Sequence, residues 1–368
     1  MLYVRTGIFI ITVALLCSIL VSCGFPDSKE PVSEENTVTD MLGRKVKVPE
    51  KVERIIGLRA GTLRLLTYMD LASKVCGVED TEKTSEKPYL TAFPELKNLP
   101  SIGPAMGGDA ELILASHPDL IFMSYTTVEE ADKLQGKVGI PVIAIECADM
   151  DFGNTALYAS LKLIGEVTGK AQRATDLIAF IGETIAIMDL KTGNRAYQKM
   201  PGVYVGGLSY SGAWGITSTH HNFAPFRFVN VRNVAADIDK SLTSQVKGTF
   251  IDIEQLMVWN PDFLFIDEAG FNLVMEDIQR ITPLKNIKAL KNHLVYGLLP
   301  YNNYASNYEY ILINAWFIGS VMYPEAFDES TIEQKSSEIL SFFYNKPLFL
   351  SSFESAIALQ KIPFSDYE

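Results

Sequence analysis

The chain lacks the sequence signs of most catalytic machinery. It contains no H-E-x-x-H, no G-x-S-x-G and no G-x-x-x-x-G-K-[ST]. Their absence removes the usual signatures of zinc hydrolases, nucleophile-elbow hydrolases and P-loop nucleotide chemistry. Positive charge is scarce and scattered: 32 Lys and Arg stand against 44 Asp and Glu, for a formal net charge of −12. No Lys/Arg cluster offers a footprint for nucleic acid. Low-complexity tracts and short-period repeats are missing as well. The apolar run Gly7 to Leu20 falls short of the about 20 residues a spanning helix needs.

What is present suits an ordered globular protein. Hydrophobic residues make up 48% and charged residues 21% of the chain, unlike a disordered segment. At 368 residues it can build two domains with full cores. Arg5, the apolar run and then Leu20-Val21-Ser22-Cys23 supply the charge, hydrophobic segment and small residues of a secretory signal. L-V-S-C is similar to the bacterial lipobox, whose cysteine is diacylated and becomes the mature N-terminus. The expectation is a signal peptide over 1–22, a lipid on Cys23 and a polar tether over 23–36. Such a protein is exported and lipid-anchored at the outer face of the cell membrane or in the periplasm. An ordinary signal peptide that happens to contain Cys23 is the competing reading. Cys76 and Cys147 each end a strand-like run and read best as small buried hydrophobes, although an exported compartment permits a disulfide.

One phrase occurs twice. ELILASHPDLIF at 111–122 returns, without a gap, as EQLMVWNPDFLF at 254–265. In each copy a Glu opens a short helix, a Pro-Asp pair stops it, and an apolar run reads as a buried parallel strand. Two copies in two similar α/β stretches imply two like lobes with a ligand between them. The chain divides accordingly. A β-hairpin (Thr37 to Pro49) opens an α/β lobe over 37–152, and a helical segment with a connecting helix covers 153–195. A second α/β lobe follows over 196–325, then a C-terminal helical tail over 326–368. In the helical segment Ala174, Leu177, Ile178, Ile181, Ile185 and Met188 recur at helical spacing. The fold class is therefore α/β: two Rossmann-like lobes joined by a single long helix, with the ligand cleft between them.

Several stretches together resemble one family. T-D-M-L-G-R-K-V-K-V-P, E-R-I-I-G-L, S-K-V-C-G-V-E, S-I-G, the first copy of the phrase and L-I-G-E-V-T-G-K-A-Q-R-A, in that order, are similar to the iron–siderophore/cobalamin periplasmic-binding family. The resemblance covers roughly residues 37 to 325. It implies a non-enzymatic, monomeric lipoprotein that needs no cofactor. Such a protein delivers a ligand to an ABC permease and its ATPase, with only modest closure of the lobes. In such proteins one glutamate per lobe docks onto the permease, and Glu111 and Glu254 hold the matching positions. The competing reading makes them helix N-terminal carboxylates and nothing more.

Candidate ligand residues follow from the rule that α/β lobes bind at the carboxyl ends of their strands. Arg59 directly follows a strand and can bind a chelate's carboxylates or an oxyanion. Gly107-Gly108 can present backbone amides, and Tyr125 ends another strand. The loop 209–221 carries Tyr210, Trp214, His220 and His221. Its two imidazoles are candidate metal ligands, and its aromatics candidate walls. Tyr301 and Tyr304 precede a helix that Asn307 is placed to cap. Core packing is the alternative for Tyr210 and Trp214, as it is for Tyr308 beyond Asn307. The leading expectation is capture of an iron complex, a ferric siderophore-like chelate. The same importer role with cobalamin, haem, bare metal or an oxyanion such as molybdate stands beside it. A secreted metalloenzyme using His220 and His221, or a structural lipoprotein with an apolar-packed cleft, would be different classes.

Overall fold

The computed structural model describes residues 36–84, 86–150, 153–193, 199–210, 212–238, 249–328, 330–353, 355 and 357–363. The signal peptide, Cys23 and nearly all of the tether lie outside the described residues.

Thr37–Thr39 (β1) and Lys45–Lys47 (β2) pair antiparallel, with Val38 opposite Val46. Both valines are buried while their neighbours face water, the alternation expected of a half-buried hairpin. The first lobe then builds Ile55–Leu58 (β3), Val75–Gly77 (β4), Leu120–Met123 (β5) and Val142–Ala144 (β6), in the order β4-β3-β5-β6. The second lobe contains Gly202–Gly206 (β7), Ser218–Thr219 (β8), Arg232–Asn233 (β9), Thr249–Phe250 (β10), Phe263–Asp267 (β11) and Val295–Leu298 (β12). Its main sheet runs β12-β11-β7-β9, and β8 pairs with β10 in a small antiparallel ribbon. Both four-stranded sheets are parallel throughout. In each, the strand that comes first in sequence is flanked by the second and third, with the fourth outermost.

The repeated phrase supplies the third strand of each sheet, β5 and β11. Its Pro-Asp pair has the same task twice. Asp119 accepts the amides of Glu53 and Arg54 at 2.8 Å, ahead of β3. Asp262 accepts the amide of Gly202 at 2.8 Å, at the start of β7. The residue before each proline, His117 or Asn260, turns the chain with positive φ (47° and 43°). The phrase is thus a local device that ends a helix and pins the next strand to the lobe's first one.

Strand side chains alternate between two cores. Leu120 and Phe122 join the same apolar cluster as Val203, Val205 and Phe265, whereas Ile121 and Met123 belong to a cluster confined to the first lobe. Tyr204, Leu264 and Ile266 belong to one confined to the second. The shared cluster runs through both lobes and includes Leu161, Leu177, Ile181, Ile311, Leu312 and Phe343. Helix Tyr308–Met322 is buried all round from Tyr308 to Gly319, as a helix at the centre of a core must be. Helices Thr155–Thr168 and Ala171–Thr192 are separated by Gly169, left-handed at φ 72°. The second spans roughly 33 Å at 1.5 Å per residue. It buries Ala174, Leu177, Ile181, Thr184 and Met188; Ile178 and Ile185 sit only half-buried at the stripe's edge. A core that is common to both sheets restrains hinge motion between them. Cys76 and Cys147 are both buried and free.

Candidate ligand-binding site

The carboxyl ends of the strands from the two sheets meet at one seam, and the loop 301–306 after β12 closes it. Arg64, on helix Thr62–Tyr68, is fully buried. It reaches across to three carbonyls of that loop: Ser306 at 3.0 Å, Tyr304 at 3.3 Å and Asn303 at 2.6 Å. Tyr304 and Ala305 both have positive φ (54° and 80°), a conformation costing about 1–2 kcal/mol per non-glycine residue. The guanidinium fork holds them there. Ala305 packs onto Gly61, where any side chain would bring a Cβ within 2.8 Å of its own.

Other left-handed non-glycine residues gather at the same place: Arg59 (φ 69°), Met106 (66°) and Tyr125 (45°). Strain of this kind persists where the surroundings enforce it, and it concentrates at ligand sites. Here the enforcer is Glu79, two residues after β4 and 1% exposed. Its carboxylate accepts the amides of Arg59 (3.1 Å) and Gly107 (3.0 Å) and the hydroxyl of Tyr304 (2.8 Å). Tyr304 accepts in turn from the Met106 amide at 3.0 Å. Burial pushes the Glu79 carboxyl above its ordinary range, against the pull of these three bonds. The Arg59 guanidinium is drawn aside to Glu130 (2.9 Å) and the Tyr125 carbonyl, leaving its Nε buried without a partner. The Tyr125 phenol donates to the Cys147 carbonyl at 2.9 Å, and 48% of the residue is open to solvent.

The second half of the seam is built on Asp149. It lies deep in the molecule, and burial raises its pKa, yet its side chain keeps 37% of its surface open. Asp149 accepts from the Tyr301 phenol and faces His220 Nε2 at 3.8 Å. Tyr301 is itself anchored by its amide, which donates to Asp267 at 2.7 Å. His220 Nδ1 accepts from the Asn222 amide at 3.1 Å. Burial, then His221 and Arg227, lower its pKa to about 4. The imidazole is therefore neutral at pH 7, and with Nδ1 occupied as acceptor its proton sits on Nε2, facing the cleft. The hydroxyl of Tyr210 is buried without a partner.

The seam thus brings together Arg59, Tyr125, Tyr210, His220, Tyr301 and Tyr304. His221 stacks on the back of His220 at 5.2 Å. Trp214 stands apart from these contacts: its indole donates to the Tyr210 carbonyl, and it lines a surface hollow of about 640 Å³ with Leu273, Asp277 and Arg280. Among the described residues no three His, Cys, Asp or Glu side chains converge as a metal would require, and His220 offers a proton where a metal needs a lone pair. Asn307 does not cap its helix with its side chain, which donates instead to the Pro300 carbonyl at 2.7 Å. The sequence alone does not single out Glu79, Asp149, Arg64 or Asp267. Glu79 and Asp149 had a signal, since each closely follows an apolar strand run. Glu111 and Glu254 are exposed on the first turns of helices Ala110–Ala115 and Ile253–Trp259.

Asp267 carries a pH prediction. Fully buried at the end of β11, it accepts the amides of Tyr301 (2.7 Å) and Ala269 (2.9 Å), and burial raises its pKa to about 7. A carboxyl raised on folding binds a proton in the folded chain that the unfolded chain releases. Its stabilising contribution is complete below about pH 4 and lost as pH rises to about 7, at up to about 1.4 kcal/mol per pH unit. Urea denaturation of the wild type should show stability rising from pH 7 toward 5, and Asp267→Asn should flatten that rise. Equal slopes would refute the assignment.

A two-lobed parallel α/β fold with polar groups converging between the lobes defines a solute-binding protein. The chain belongs to the periplasmic binding protein family, whose model matches residues 55–301. The molybdate-binding protein MolA of Haemophilus influenzae is 24% identical over 351 residues, 89% of this chain and 96% of that protein. The petrobactin-binding protein YclQ of Bacillus subtilis is 23% identical over 297 residues, 77% of this chain and 88% of its own. The solved structure of MolA bound to molybdate superposes with a TM-score of 0.67 at 23% identity, covering 85% of this chain and 98% of that one. The protein is therefore an extracytoplasmic solute-binding protein of this family and not an enzyme, and the solved relative that binds molybdate is the cognate binding protein of an ABC transporter.

Proposed function

We propose that the solute is an oxygen-rich anion held by hydrogen-bond donors, and that it is an oxyanion of the molybdate type. The observation that carries this is the polarity of the seam. Tyr210 offers an unpartnered hydroxyl and Arg59 an unpartnered Nε, and His220 carries its proton on Nε2, 3.8 Å from the Asp149 carboxylate. Donors recognise oxygen anions, whereas a bare cation needs lone pairs. The molybdate-binding relative, aligned along nearly its whole length, supports the same reading. A second reading, the ferric siderophore-like chelate, is favoured by the open rim. Tyr125 and Met106 are 48% and 50% exposed, more apolar surface than a tetrahedral oxyanion uses, and a petrobactin-binding relative is among the matches.

Native mass spectrometry and metal analysis of protein purified from its source, followed by calorimetric titration with molybdate and with a ferric catecholate, separate the two. One molybdate per chain without iron is expected. Saturable binding of the ferric chelate alone would overturn the oxyanion reading. Delivery is proposed to use Glu111 and Glu254 as the feet that meet the permease, with a lipid on Cys23 keeping the protein at the membrane.

A further inference from the structure

The Glu79 carboxylate sits where a ligand oxygen would be expected. Two of its three donors are main-chain amides, from Arg59 in a left-handed turn and from Gly107 at φ 149°. The third is the Tyr304 hydroxyl, brought from the other lobe. Converging amides of this kind form a concavity for an anionic oxygen, and here that oxygen belongs to the chain. Resting on the oxyanion reading above, we propose that Glu79 is an internal stand-in for the ligand. The incoming oxyanion takes over the Arg59 and Gly107 amides and the Tyr304 hydroxyl, and Glu79 gives them up by taking a proton from solvent.

Two anions cannot share one set of donors at close range in a buried site, because their repulsion is poorly screened there. The charges facing Glu79 do not relieve this. Glu82, on the helix after β4, adds to its burden. Lys87 pairs with Glu82 at 3.1 Å and lies over the Tyr304 ring at 5.4 Å. The Arg59 guanidinium is held by Glu130, and Arg64 is committed to carbonyls of the 301–306 loop. Neutralising Glu79 is the remaining route. Its burial already raises the carboxyl toward protonation. Anion binding is then coupled to uptake of one proton. Affinity falls by up to about tenfold per pH unit above the protonation range of Glu79 and levels off below it.

Calorimetric titration of wild type and Glu79→Gln with molybdate, from about pH 5.5 to about pH 8 and in buffers of different ionisation enthalpy, tests the coupling. The wild type should take up close to one proton per molybdate at the alkaline end. Glu79→Gln should bind there at least about tenfold more tightly, with no proton uptake and a flat pH profile. Glu79→Asp, which keeps the charge, should retain the proton uptake and controls for a folding defect. Glutamine binding no more tightly than wild type at about pH 8, or keeping the wild-type proton count, would overturn the proposal. If neither protein binds molybdate, the oxyanion reading fails. The same pair titrated with a ferric catecholate then decides the role of Glu79 by the same two signs, and binding of neither probe refutes both.

Discussion

Replacing Arg64 with methionine is expected to cost about 3–5 kcal/mol of stability, the range for removing one partner from a buried charge network. The guanidinium is fully buried and bonded to Asn303, Tyr304 and Ser306 carbonyls. It lies over the Tyr89 ring at 5.1 Å, and while burial raises the pKa of Glu309, the Arg64 charge opposes that rise, as do the bonds this carboxylate accepts from Tyr68 and Tyr344. Methionine fills much of the volume but leaves three carbonyls without donors and Glu309 without a compensating cation. The 301–306 loop would then relax from its left-handed turn, so ligand affinity should fall along with the denaturation midpoint. Arg64→Lys keeps the charge but not the planar fork and should recover only part of the loss. A methionine variant within about 1 kcal/mol of wild type in urea denaturation would show that the loop is held by something else.

Changing Glu111 and Glu254 together to alanine is expected to lower uptake at least about tenfold, the effect of losing about 1.4 kcal/mol of docking energy, while ligand affinity and stability stay as they were. The repeated phrase divides into parts the fold uses and parts it does not. Asp119 and Asp262 pin strands, and His117 and Asn260 make the turns. The glutamates are exposed on first turns, and their helices also leave Leu112, Leu114 and Val258 open to solvent. Exposed charges contribute little to folding, so a loss confined to transport would isolate the partner contact. Solute uptake by reconstituted vesicles and stimulation of the ATPase measure it. Unchanged transport by the double variant would remove the docking role, and each single variant should fall between the two.

Much of the architecture was legible because it follows from near neighbours. The apolar runs around Ile121 and Phe265 had to be strands buried on both faces, and the structure places them third in two sheets of the same order. The stripe Ala174, Leu177, Ile181 and Met188 of the long helix Ala171–Thr192 is equally readable from its helical spacing. The site was legible only in part. Tyr301, Tyr304, Arg59, His220 and Tyr210 could be nominated as loop residues past strand ends. Trp214 qualifies on the same ground and stands in a surface hollow instead, because its loop folds back on Tyr210. Arg64 reads as an ordinary polar position in a short helix, and nothing adjacent to it announces burial.

By itself, then, the sequence determined two parallel α/β lobes, a connecting helix and a phrase that terminates a helix and starts a strand in each, since turn chemistry and side-chain alternation act over a few residues. The tertiary structure decided which groups carry charge into the seam. Arg64 and Ser306 lie 242 residues apart, and Glu79 and Tyr304 lie 225 apart. Only packing of the shared core brings such pairs together. Burial then raises the pKa of Glu79, Asp149 and Asp267, and the Asn222 amide sets the tautomer of His220. Protonation and hydrogen-bond direction depend on what surrounds a group in space, and a linear order of residues does not contain that information.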